Sequence, residues 1–76
     1  MNDKKRAALR NAKSHLAEAK QLVEQVRDDE QDSLDNLPES FEGSERYENM
    51  ENAIDNLDSA IDDITSAAEY IDLASE

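Results

Sequence analysis

Apolar residues recur along this chain in alternating steps of three and four. One stripe runs Leu9, Ala12, Leu16, Ala19, Val23, Val26; a second, entered through Tyr47 and Met50, runs Ile54, Leu57, Ile61, Ile64, Ala68, Ile71. That spacing keeps one face of a helix apolar. Folded back at Pro38–Phe41, the stripes meet rung by rung. Val26 faces Ile54, Val23 faces Leu57, Ala19 faces Ile61, Leu16 faces Ile64, Ala12 faces Ala68 and Leu9 faces Ile71. The residue numbers of every pair add to 80, so one antiparallel register satisfies all six. The pattern predicts an all-α chain: an antiparallel two-helix hairpin of coiled-coil type, residues 1–76 forming one unit.

Local signals place the ends. Asp3 is the expected N-cap of a first helix over about 4–33, which Ala7, Ala8, Ala12, Ala17 and Ala19 favour intrinsically. Pro38 disfavours helix at Leu37, so residues 36–44 read as the turn, with Gly43 allowing the reversal. Leu34, Leu37 and Phe41 are expected to close the end of the core there. Ser44 is the expected N-cap of a second helix over about 45–74, with Glu45 and Glu48 in its favourable first turn.

The second helix repeats itself in three heptads, 51–57, 58–64 and 65–71, each with a small residue ahead of the stripe: Ala53, Ala60 and Ala67. The first helix has a matching edge at Ala8, His15 and Leu22. Both faces are wider than a two-stranded seam needs. Burying one Leu or Ile side chain contributes roughly 1.5–3 kcal/mol, so an edge left wet is an incentive to associate. The expectation is a homo-oligomer, a dimer forming a four-helix bundle or a higher assembly of hairpins, held by Ala53, Ala60, Ala67, His15 and Leu22.

Size and composition narrow the rest. A chain of 76 residues buries little surface and relies on staples or partners. Without cysteine it has neither disulfide nor thiolate metal site. No apolar run reaches the ~18 residues of a membrane span, and the basic stretch Met1–Arg10 has no apolar segment after it, as a secretory signal does. A cytoplasmic protein without membrane contact is expected. The 37% of charged residues and net −12 lean towards disorder; the unbroken stripes argue for a fold. Charge is divided, with +4 on residues 1–27 and −16 on residues 28–76. Bases near the start of the first helix and acids near the end of the second each oppose their own helix dipole. An antiparallel hairpin sets the two ends side by side.

Catalytic chemistry finds little support. Asp28–Glu39 has acids at positions 1, 3, 5 and 12 of a calcium loop, but Ser33 stands where position 6 needs Gly and Asp35 where position 8 is apolar. His15, the only histidine, has no Glu-x-x-His companion of the kind that builds a bundle di-iron site. The serines lie in no Gly-x-Ser-x-Gly turn, and one glycine cannot build a phosphate-cradling loop. Paired acids such as Asp55 and Asp58 read as a solvated helix face. The expectation is a non-enzyme with no catalytic residue, metal or cofactor. Lys4, Lys5, Arg6, Arg10 and Lys13 are read as partners of the acidic end of the second helix; net −12 opposes direct nucleic-acid binding.

Two surface features remain. Glu48, Glu51, Asp55, Asp58, Asp62, Asp63, Glu69 and Asp72 extend along one helix for ~35 Å. Such a row suits a basic groove, by steering and counterion release, or serves only to keep a small bundle in solution. At the turn, Leu37, Phe41, Arg46 and Tyr47 form a candidate docking tip, or a plain hydrophobic plug.

From Asp28 to Ile64 the chain resembles a group of short, uncharacterised acidic proteins of bacteria and their phages or mobile elements. The resemblance rests on Asp-Asp-Glu-Gln (28–31), Asn-Leu-Pro-Glu-Ser (36–40), Ser-Glu-Arg-Tyr-Glu-Asn-Met-Glu (44–51) and the Ala-Ile-Asp repeats at 53–55 and 60–62. It implies a mobile-element setting, with no site residues or activity attached. The functional expectation is an interaction module, in its sharpest form an acidic, DNA-mimicking inhibitor of a nucleic-acid-binding or defence protein. The alternatives are an oligomeric bundle that sequesters a small ligand near His15, the basic N-terminal segment and Tyr70, and a purely structural coiled coil.

Overall fold

The computed structural model describes residues 1–76 as two helices and a short turn: α1 (Asp3–Asp35), a single 3-10 turn (Glu39–Phe41) and α2 (Glu45–Ala74). There is no strand. The helices pack antiparallel along their length into a rod of 59 × 15 × 12 Å. Neither helix is long and apolar enough to cross a membrane.

Asn2, not Asp3, caps α1. Its Oδ1 accepts the Lys5 backbone N–H at 2.8 Å, and Asp3 becomes the first helical residue, where its charge suits the helix dipole. α1 continues two residues past its expected end, and Pro38 then stops it. The turn satisfies its own backbone: the N–H groups of Phe41, Glu42 and Ser44 donate to the carbonyls of Pro38, Glu39 and Phe41 at 2.9–3.0 Å. Gly43, at φ +80°, makes the left-handed step that resets the chain direction. Ser44 caps α2 as expected, its Oγ accepting the Tyr47 N–H at 3.2 Å.

Only Ile54 and Ile61 are buried, at 7% and 8% exposure; the other seam residues are half-buried. Lys13 pairs with Asp72 and Arg27 with Asp58 across the seam. Long side chains on a helix lean about one turn towards its N-terminus, so these heads lie level with Leu9 and Val23. The register adding to 80 sets those two residues opposite Ile71 and Leu57, each next to the acid that is paired.

One rung of the expected seam is not formed. Val26, assigned to face Ile54, is 55% exposed, and Arg27 takes the half-buried place beside it. The cause is helical pitch. Seven residues fall ~20° short of two full turns, so a strict heptad line drifts across the face. Two heptads on from Ala12 and Lys13, the drift has carried Val26 outward and Arg27 inward.

Candidate functional site

The hairpin has two unlike edges. Lys13, Arg27, Asp58 and Asp72 each lie four residues past a seam residue: Leu9, Val23, Ile54 and Ala68. In antiparallel helices the same rotational offset from the seam falls on the same edge, and the two cross-seam ion pairs show these positions meeting. Arg27 Nη1 lies 3.0 Å from Asp58 Oδ1, and Nη2 lies 3.1 Å from Asp28 Oδ1. Hydrogen bonds to Asp58 first, then to Asp28, raise the guanidinium pKa above its already high ordinary value, so Arg27 is a permanent cation on this edge. Further along, Arg6 Nε donates to the Ser75 carbonyl at 3.0 Å. α2 carries no base in its last turn; Arg6 supplies the positive charge its orphan carbonyls favour. Lys20 continues the series and lines one groove with Thr65, whose Oγ1 donates to the Ile61 carbonyl at 2.9 Å.

These bases recur every seventh residue, at Arg6, Lys13, Lys20 and Arg27. That seven-residue period, visible in the sequence, marks a half-buried basic line flanking the seam rather than an N-terminal cluster alone. Lys4, Lys5 and Arg10, expected to join the acidic end of α2, form no ion pair and remain exposed.

The acidic row divides into two. Asp58 and Asp72 are committed to Arg27 and Lys13. Glu48, Asp55, Asp62 and Glu69, spaced by seven, form a line one step further from the seam, all exposed and unpaired. Asp63 lies ~100° round the helix from Asp62 and does not belong to that line. Glu51 lies beside Tyr47, Leu34 and Ile54 in a shallow groove of about 280 Å³. Of twenty acids, only Asp3, Asp28, Asp58 and Asp72 are ion-paired, which leaves sixteen without one.

The opposite edge carries residues one place before the seam. On α1 these are Ala8, His15 and Leu22, all exposed, with Val26 beside them; Leu22 is 63% exposed. On α2 they are Ala53, Ala60 and Ala67, half-buried. The five self-association candidates therefore share one edge, away from the ion pairs.

The docking-tip residues differ in exposure. Tyr47 and Leu37 are half-buried, Tyr47 against the seam. Arg46 is exposed and unpaired, and lines a groove of about 480 Å³ with Glu30, Met50 and Ala53. Phe41 is 39% exposed in the turn. His15 and Tyr70 are exposed, Tyr70 at 71%, and neither lines a groove of the single hairpin. A groove of about 280 Å³ on the ion-pair edge has Lys13 and Lys20, but Glu69 and Asp72 offset their charge. Residues 28–35 are helical, so the backbone does not wrap into a calcium loop, and no three His, Asp or Glu side chains converge on a point. Comparison with protein-family models, curated proteins and solved structures finds no match.

Proposed function

We propose that this chain is a non-enzymatic interaction module: an α-hairpin that self-associates into a four-helix bundle and offers its acidic surface to a basic protein partner. One observation carries the reading. The fold neutralises four acids and leaves sixteen unpaired, four of them in the line Glu48, Asp55, Asp62, Glu69. Seven of the nine acids on the 30-residue α2 are unpaired, and the helix is ~45 Å long, giving one free charge per ~6 Å. A nucleic-acid strand carries one per ~3.4 Å and a duplex one per ~1.7 Å. The spacing therefore suits a basic channel that holds a single strand better than a full duplex clamp. In this reading the chain competes with nucleic acid for that channel, as an inhibitor in a phage or mobile-element setting.

The test is affinity capture from a bacterial lysate across a salt series. The expected result is one basic, nucleic-acid-binding protein that elutes as salt rises and is lost with the variant E48Q/D55N/D62N/E69Q. Binding unmoved by salt and by that variant would refute the acidic mechanism.

A further inference from the structure

We infer that the second copy docks on the apolar edge with its α1 antiparallel to the first α1, about a two-fold axis level with Ala17. This rests on the self-association reading and specifies its interface.

Surface area supports it first. A compact folded monomer of 8.6 kDa exposes ~4,700 Å², whereas this chain exposes 5647 Å². The excess of ~950 Å² is close to the ~800 Å² per partner hidden in a standard protein interface. Only one edge is free to supply it, because ion pairs occupy the other.

The sequence of that edge then selects an occupant. Laid against its own reverse so that residue numbers add to 34, α1 sets small residues on large ones. Ala8 meets the partner's Val26, Ala12 meets the partner's Leu22, and His15 meets the partner's Ala19. The same register faces Lys5 with the partner's Asp29 and Lys4 with the partner's Glu30. Lys4 and Lys5 are left exposed and unpaired by the hairpin itself. Sliding by one heptad either way loses this: Lys5 then faces the partner's Leu22, or Ala12 the partner's Asp29.

α2 reaches the same answer independently. Paired with its own reverse at numbers adding to 124, it sets Ala53 on the partner's Ile71, Leu57 on the partner's Ala67 and Ala60 on the partner's Ile64. That places the axis at Asp62. The hairpin register puts Asp63 level with Ala17, one residue or ~1.5 Å away. One two-fold axis therefore serves both helices, every neighbouring helix is antiparallel, and the line Glu48, Asp55, Asp62, Glu69 stays outside the bundle.

The chain has no cysteine, so single cysteines give a clean test. Variants A8C and V26C are treated with a short bis-maleimide, alone and mixed, after sedimentation equilibrium of the parent. The expected result is a dimer whose cross-link forms in the mixture and not in either variant alone. In the same assay K5E should weaken dimerisation about three- to tenfold, since each pair occurs twice, and K5E/D29K should restore it. A dimer in which A8C cross-links to itself, or in which the mixture does not cross-link, overturns this register while self-association stands. A monomer at several hundred micromolar overturns both.

Discussion

Replacing Ile61 with Ala tests which residues form the seam. Ile61 is 8% exposed and one of two buried residues in the chain. The change deletes three carbons, at ~0.8 kcal/mol each, or ~2.4 kcal/mol of lost burial. The cavity contribution is small, because a rod 12 Å thick lets its walls relax, so the loss belongs at the low end of the ~2–5 kcal/mol range for such truncations. For 76 residues the whole stability is ~4–11 kcal/mol, so the variant loses about a fifth to three-fifths of it. At ~4–8 °C per kcal/mol for a domain of this size, Tm falls by ~10–20 °C. The assay is urea and thermal unfolding followed by circular dichroism at 222 nm, at several protein concentrations. Leu22→Ala deletes the same number of carbons from a side chain already 63% exposed, so in dilute protein it costs below ~1 kcal/mol. Its effect should grow with concentration as the dimer forms. If Leu22→Ala costs as much as Ile61→Ala in dilute protein, Leu22 lies in the seam and the edge assignment is wrong.

Three further outcomes follow from the geometry. Raising salt from about 0.05 to 0.5 M shortens the Debye length to below ~10 Å; with sixteen unpaired acids against four paired, repulsion is screened more than attraction, so Tm should rise by a few degrees while affinity for a basic partner falls. Gly43→Ala meets no atom within 4 Å and so carries only the backbone cost of φ +80°, ~1 kcal/mol, which denaturant titration should read as a small stability loss with the slope of the transition unchanged. Arg6→Ala removes the donor to the Ser75 carbonyl and should cost ~0.5–1 kcal/mol, seen in hydrogen exchange as fraying confined to the last turn of α2.

Much of this protein is legible along the chain. The 3–4 spacing, Pro38, Gly43 and Ser44 suffice for two helices and the turn between them, because helix faces, stops and caps depend on residues only a few positions apart. The antiparallel pairing is legible for a related reason: reversing one stripe onto the other gives one alignment for all six expected rungs, of which the Val26–Ile54 rung is not formed. Tertiary structure decided what lies at the margin of that seam. Whether Val26 or Arg27 turns inward depends on pitch accumulated over two heptads and on Asp58 waiting across the interface, and no local window holds both. The same packing committed Asp58 and Asp72 to Arg27 and Lys13 and left Glu48, Asp55, Asp62 and Glu69 free. Charges of one sign look alike in sequence, and only their position around the helix, relative to the other helix, separates a structural ion pair from an open surface.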